Sequence, residues 1–402
     1  MKKFVSLVLV LILAFSTCVT LASCDQGSND DFIVGAIYIN SQNDTAGYTF
    51  AHHNGITKAM EELGIPEKNL YIVDNVVEDT TKVKEALNTL ASKGCKIIFG
   101  ISFGYLTAFD EAAKDPAFEG IILSHATGYL ASDDSGAYAT QFNNYFGRIY
   151  QARYLSGIAA GLKSLALKNN NVGYVAAYGT DYAETCSGIN SFALGVQAVN
   201  PDAHVYVKTL NSWADEAKER AAAESLVDTY GCGVIAQHCD SAQPQMVAQN
   251  KNVFGCGYNS DMTPDAPDAH LTAAIWNWNV YYRTAMECAM KTPDKFMENV
   301  GIYYGGLKEG FVDVSPLSKN CEEGTQDAID QVKNLIISGE WDVFSGVKLS
   351  ITVADGKATV TKTDADLKQA DGTVIVAAGG ASVDDGVIKG TMNYYVEGVE
   401  EK

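Results

Sequence analysis

Apolar residues recur along this chain in two alternating periods. Short apolar runs at 32–39, 69–73, 95–100 and 120–123 predict buried strands. Between them the apolar positions return every three or four residues. Ile56, Ala59, Met60 and Leu63 share one face and predict a helix over 53–63. Val83, Ala86, Leu87 and Leu90 do the same over 81–93, where Gly94 supplies the stop. A third helix is expected over 106–114. The cycle then restarts. A helical stretch over 149–167 carries Gly157 and Gly161, which predict a close helix contact. Strands follow at 172–177, 204–208, 233–236, 253–257 and 270–275, with helices at 186–199, 215–230, 244–251 and 280–290 between and after them. Two successive β-α-β-α-β-α-β units predict an α/β fold, two open parallel sheets side by side with a cleft between them. Roughly another hundred residues follow. No Gly-x-Gly-x-x-Gly segment follows any predicted strand, so a dinucleotide enzyme lacks its phosphate cradle.

In open α/β sheets, ligands bind beyond the carboxyl ends of the strands. Here those ends carry aromatic rings beside small polar side chains. The first reads Asn43-Asp44-Thr45-Ala46-Gly47-Tyr48-Thr49-Phe50, the third Ser102-Phe103-Gly104-Tyr105, and the fourth Ser124-His125-Ala126-Thr127-Gly128-Tyr129. In the second half they are Tyr178, Asn211-Ser212-Trp213, Gln237-His238-Cys239-Asp240-Ser241, Tyr258-Asn259-Ser260-Asp261 and Trp276-Asn277-Trp278. Rings can sandwich a flat ligand while Asn, Asp and Ser fix its polar edge. Stacked aromatics also serve sugars, so the pattern alone leaves sugar and nucleobase open.

Two enzymatic or metal readings compete. Gly100-Ile101-Ser102-Phe103-Gly104 matches Gly-x-Ser-x-Gly between a strand and a helix, with Asp240 and His270 or His238 downstream, so a surface hydrolase using Ser102 is an alternative. No oxyanion segment of the His-Gly-Gly-Gly type accompanies it. His52 and His53 are adjacent and diverge on a helix, while His238 and Asp240 could face one side. No metal-ligand spacing of the His-Glu-x-x-His type occurs, and no metal or cofactor is expected.

The N-terminus and the charge place the chain. Lys2 and Lys3 precede an apolar run over 4–15, and Leu21-Ala22-Ser23-Cys24 closes it. That is the layout of a signal peptide over 1–23, and its ending resembles a bacterial lipobox. The expectation is lipidation at Cys24, a flexible tether over 24–31, and a place on the extracytoplasmic face of the cell membrane. Without residues 1–23, the 402-residue chain still exceeds one core and suggests two domains. The net charge of −20 argues against nucleic-acid binding. Of Cys95, Cys186, Cys232, Cys239, Cys256, Cys288 and Cys321, most sit in apolar patterns and read as core thiols, while secretion leaves disulfides open.

Several of these motifs together resemble the basic membrane protein family of lipoproteins, purine nucleoside receptors of ABC transporters. The resemblance runs from about Phe32 to the C-terminus. It rests on Asp44 to His52, Ile101 to Tyr105, His125 to Tyr129, Tyr145 to Arg148, Gln151 to Gly157, Asn211 to Trp213, Ala236 to Ser241, Gly257 to Met262, Trp276 to Trp278, Tyr304 to Gly310 and Met392 to Val399. It implies a type I periplasmic-binding-protein fold, no catalysis, a monomer and delivery of ligand to a permease. One lobe would hold 32–145 plus roughly 277–310, the other 146–276 plus roughly 311–402. Tyr48 and Trp213 take the positions of the stacking aromatics, with Phe103 beside them. Asp44, Thr49, His238, Asp240, Asn259 and Asp261 would meet the ligand's edge. The family's Gly-Val-Asp-x-Asp stretch binds ribose, but here its first Asp is Asn259, and Trp276 stands where nucleoside receptors carry a ribose-binding Lys. Both departures favour a bare base such as adenine or another purine, or a different flat ligand such as a flavin, over a nucleoside. A surface ligand sensor without transport is a further alternative.

Overall fold

The computed structural model describes residues 29–131 and 141–402, so the expected signal peptide and Cys24 lie outside the described residues. The first unit runs β1 (Val34–Tyr38), α1 (Gly47–Glu62), β2 (Leu70–Val73), α2 (Thr80–Ser92), β3 (Ile97–Ile101), α3 (Leu106–Ala112), β4 (Ile122–Ala126) and β5 (Phe142–Gly147). The second runs α4 (Ile149–Leu167), β6 (Asn171–Ala176), α5 (Ala183–Val199), β7 (His204–Thr209), α6 (Glu216–Asp228), β8 (Val234–His238), α7 (Gln243–Asn250), β9 (Phe254–Asn259) and β10 (His270–Trp276). The remainder is α8 (Trp278–Lys291), α9 (Phe296–Asn299), β11 (Tyr303–Gly305), β12 (Val312–Val314), α10 (Thr325–Ser338), the hairpin β13 (Val347–Ala354) and β14 (Lys357–Asp364), the pair β15 (Leu367–Lys368) and β16 (Val374–Val376), α11 (Asp385–Gly390) and β17 (Val399–Glu401).

These strands form two main sheets. One has the order β11-β5-β4-β3-β1-β2 and the other β12-β10-β9-β8-β6-β7-β17. Within these two sheets every pairing is parallel except β12, which runs against β10, while β13–β14 and β15–β16 are separate antiparallel pairs. Alternate residues of β1 explain the layering. Val34, Ala36 and Tyr38 pack with Ile56 of α1 and Tyr282 of α8, whereas Ile37 packs with Val83 of α2 and Phe109 of α3. The second sheet repeats this plan, with α4 and α5 against Tyr174 and with Leu226 of α6 and Val247 of α7 against Val175. A Cβ on Gly157 or Gly161 would fall 3.0 or 2.7 Å from backbone atoms of Val196, so glycine is required where α4 crosses α5. Six of the seven described cysteines are buried, and all seven are free. No described helix is long and apolar enough to cross a membrane.

The chain passes between the sheets three times: at Arg148 between β5 and α4, at Asn277 between β10 and α8, and between β11 and β12. The C-terminal segment braces these passages. Arg148 pairs with Asp385 of α11 at 2.5 Å, and its backbone N–H donates to Gly305 at 2.7 Å.

Two local expectations differ from the structure. α1 begins at Gly47, six residues before the helix read from the apolar stripe. Gly47 adopts φ +83°, a left-handed conformation that glycine reaches without strain and that turns the chain straight from loop into helix. Tyr48 and Thr49 therefore sit in the first helical turn instead of a loop. The second difference is β5, a strand that the apolar pattern does not predict. Its core is Asn143-Asn144, whose polarity hides the strand although both side chains are buried and bonded.

Candidate functional site

The strand ends of the two sheets face each other and carry a continuous arc of rings. On the second sheet, Trp213 lies 5.0 Å from Tyr178 and 6.2 Å from His238, and His238 lies 4.6 Å from Tyr258. The Tyr258 hydroxyl accepts from Trp276 Nε1 at 3.1 Å. Trp276 stacks on Trp278 at 4.6 Å, Trp278 on His52 at 3.7 Å, and the Tyr48 ring meets His52 edge-on at 4.2 Å. The arc thus begins at Trp213 of the second unit and ends at Tyr48 of the first. Trp278 and His52 come from α8 and α1, which pack side by side.

The sheets touch where α1 begins. A Cβ on Gly47 would fall 2.5 Å from the carbonyl oxygen of Asp240. The Asp240 carboxylate takes a hydrogen bond from Asn259 Nδ2 at 3.1 Å and is faced by the backbone N–H of Tyr48. Burial, reinforced by Glu219 and Glu184, pushes its acid up to about 7, against the Asn259 and Tyr48 donors. Glu219 itself is buried and accepts from the hydroxyl and N–H of Ser241.

Between these contacts, buried polar atoms stand without a hydrogen-bond partner: Tyr48 Oη, Thr49 Oγ1, Asn259 Oδ1, Glu184 Oε1, Trp278 Nε1 and both His238 ring nitrogens. Buried polar groups are nearly always bonded, so a concentration of exceptions marks where a partner from outside belongs. Glu184 and His238 approach to 3.1 Å but are off-line for a hydrogen bond. Burial acts to raise the Glu184 acid, but His238 and Arg153 outweigh it and hold it below the ordinary carboxylate range. Burial, joined by Arg153, lowers the His238 imidazole despite Glu184. A neutral imidazole offers one donor and one acceptor.

The residues singled out in the sequence fall into two groups. Tyr48, His238, Asp240 and Asn259 converge where the sheets meet, with Thr49 on the same helical turn and Trp213 joined through its carbonyl to the Asp240 N–H at 3.0 Å. Trp276 is buried and lodged between Phe146 and Trp278, the first at 4.9 Å. Three others lie apart. Asp44 is partly exposed, beside Asp74, which with burial raises its acid. Phe103 is exposed and pairs with Tyr129 at 6.3 Å. Asp261 leads away from the sheet ends, capping Thr263 at 2.9 Å and lying 3.5 Å from His270. Glu184 and Arg153 join the site without any signal in the sequence pattern. An acid in a first helical turn ordinarily complements the helix dipole, so Glu184 gave no separate signal.

Ser102 does not sit in a triad. Its hydroxyl donates to Glu78 at 2.5 Å, and His125 Nε2 lies 2.7 Å from the Ser102 carbonyl, not from its hydroxyl. His270, at the opposite end of β10, bonds toward Gln245. Among the described residues no group of three or more His, Cys, Asp or Glu could hold a metal ion.

Comparison with known proteins agrees with this architecture. A family model described as Bmp, ABC transporter substrate-binding protein PnrA-like, matches residues 32–345. A purine-binding protein of Brucella abortus is 33% identical over 92% of this chain and 93% of its own. A putative ABC transporter glucose-binding protein of Haloferax volcanii is 32% identical over 62% of this chain and 59% of its own. Among solved structures, a solute-binding protein of an ABC transporter system from Conexibacter woesei superposes with a TM-score of 0.62 at 17% identity, covering 77% of this chain and 98% of that one, which bears on fold alone.

Proposed function

The chain belongs to the family of PnrA-like ABC transporter substrate-binding proteins, and from that premise we propose that it captures a purine base, adenine before a nucleoside, and delivers it to a permease. Members of this family act outside the cytoplasm and are not enzymes. The lobes are read as 32–145 with roughly 277–310, and 146–276 with roughly 311–402, closing by rotation about the three passages. Cys24 is read as the lipid-bearing residue and 24–31 as its tether.

One observation carries the ligand class: unpartnered donors and acceptors on Tyr48, Asn259, Glu184 and His238 lie within an arc of aromatic rings. A heteroaromatic base presents faces to rings and a mixed donor–acceptor edge to such groups. The Brucella relative, matched over nearly its whole length, is named for purine binding. The choice of base over nucleoside rests on Trp276. Its ring is tied to Tyr258 and stacked on Trp278, so it fills space instead of presenting a charge to a sugar hydroxyl. Asn259 likewise offers an amide in place of a carboxylate.

Denaturing the purified protein and identifying the released small molecule by mass spectrometry tests the reading directly. Calorimetry with adenine, adenosine, hypoxanthine and glucose completes it. Adenine is expected to bind more tightly than adenosine and to raise the melting temperature by mass action. Glucose binding without purine binding would overturn the reading.

A further inference from the structure

Glu184 stands in the first turn of α5, which the loop 177–182 joins to the end of β6. Its side chain keeps 20% exposure, and its buried Oε1 lies 3.1 Å from His238 Nε2 without an aligned hydrogen bond. Across the interface the buried Tyr48 hydroxyl is also unpartnered, and the carboxylates of Glu184 and Asp240 both act on it. The neighbouring cation, Arg153, is only partly engaged, since its Nε and Nη2 stand buried without a hydrogen-bond partner. It is 2% exposed, its Nη1 donates to the Gln237 carbonyl at 2.8 Å, and its guanidinium lies 4.1 Å from the centre of the Tyr258 ring. A molecule entering between the sheets therefore meets the partly exposed Glu184 carboxylate, while the positive charge of Arg153 stays buried against the Tyr258 ring.

We propose that Glu184 sets the charge of the ligand: its carboxylate accepts an N–H from the ligand's edge, so the cleft admits neutral or protonated heteroaromatics that carry such a donor and rejects those that bear negative charge. This rests on the reading of the cleft as a heteroaromatic site. A buried carboxylate without a donor costs desolvation that an N–H recovers and an anion makes worse. The two roles of Glu184, attraction and exclusion, come from the same oxygen. No sequence motif signals it, because the residue's partner is the ligand.

Calorimetry with adenine and with urate, a monoanion at neutral pH, reads this choice. The unmodified protein is expected to bind adenine at least about 100-fold more tightly than urate. Glu184→Gln keeps the shape and removes the charge. It is expected to weaken adenine by about 10-fold and narrow the adenine-to-urate ratio by at least as much, since hydrogen bonds to charged groups are the stronger ones. Glu184→Asp keeps the charge and is expected to lose affinity while preserving the ratio; should Glu184→Gln fail to fold, loss of discrimination in Glu184→Asp would overturn the inference. An unchanged ratio in well-folded Glu184→Gln, or equal binding of adenine and urate by the unmodified protein, would also overturn it and leave the purine assignment standing. Absence of binding to any purine would instead remove the assignment itself.

Discussion

His125 and His238 occupy comparable places, each near the carboxyl end of a central parallel strand, and their surroundings are opposite. His125 is fully buried on the first sheet, stacked on Phe109 at 5.2 Å, with Nε2 against the Ser102 carbonyl at 2.7 Å and Nδ1 3.4 Å from the Asn144 amide. His238 is as buried on the second sheet, but neither ring nitrogen has an aligned hydrogen bond, although Nε2 lies 3.1 Å from Glu184. The contrast extends to their neighbours. Ser102 is held by Glu78, Ser124 by Tyr281 at 2.7 Å, and Asn144 by the Ala131 N–H at 2.7 Å. Glu184, Asn259 and Arg153 of the second unit each keep an unpartnered atom. One set of strand ends is closed on itself and serves rigidity. The other is left open, and the first unit contributes its open groups from helix α1 instead, through Tyr48 and Thr49. A buried polar residue at a strand end is thus evidence of function only once its partners have been counted.

The strongest way to test this division is to stop the two halves from meeting. Gly47→Ala would place a methyl 2.5 Å from the Asp240 carbonyl in the closed arrangement and force a left-handed conformation on alanine. The backbone strain is present whether or not the lobes are closed, whereas the clash exists only when they meet. An overpacking cost of about 3 kcal/mol on closure corresponds to roughly 100-fold weaker ligand binding. Calorimetry measures it, and small-angle scattering should find the variant more extended in the presence of ligand. Full affinity in Gly47→Ala would mean that closure at this contact is dispensable.

The histidine pair sharpens the comparison with a smaller effect. His238→Ala is expected to weaken ligand about 10-fold and to lower the melting temperature of the ligand-free protein less than His125→Ala does, because it removes a ring packed on Tyr258 but no aligned hydrogen bond. His125→Ala should do the reverse. It removes a stacked ring and one hydrogen-bond partner each from the Ser102 carbonyl, which keeps the Tyr105 N–H, and from the Asn144 amide. A loss of about 2 kcal/mol would lower the melting temperature by several degrees, with affinity little changed. If both variants behaved alike, the distinction between closed and open strand ends would fail.

Much of this architecture is legible in the apolar pattern, since β1, β3, β6 and β8 are buried runs of ordinary composition. Where the pattern misled, polar residues carried a structural duty. Asn143 and Asn144 sit inside β5 because Tyr281, Gly301 and Ala131 satisfy them, a condition that no periodicity reveals. The aromatic strand ends pointed toward the cleft, but only coordinates separate Trp276, a packed filler tied to Tyr258, from Tyr48, whose hydroxyl stands free. Asp44 and Asp261 look no different from Asp240 in sequence. The fold sends Asp261 back toward His270, leaves Asp44 beside Asp74, and buries Asp240 against α1. Glu184 and Arg153 are read from unpaired atoms, which exist only in three dimensions.

The smallest expected effect concerns protons. Burial beside Glu219 and Glu184 raises Asp240 to about 7, well above its unfolded value near 3.9. The folded state therefore holds this proton more tightly than the unfolded one. Its contribution to stability is fully present below about pH 4 and is lost as pH climbs through 7. The buried histidines act in the other direction. His125 and His270 are each depressed to about 4, and His238 is lowered as well, so their contribution is present above about 6.5 and lost as pH falls. The two trends overlap and partly cancel in the unmodified protein. Asp240→Asn separates them. The amide cannot ionise, so the variant escapes the penalty that grows toward neutral pH but keeps the histidine trend. Its melting temperature relative to the unmodified protein should rise by a few degrees from pH 5 to pH 8. A difference that stays constant across that range would mean that Asp240 is already ionised at pH 5, and that the Tyr48 N–H and the Asn259 amide together outweigh its burial.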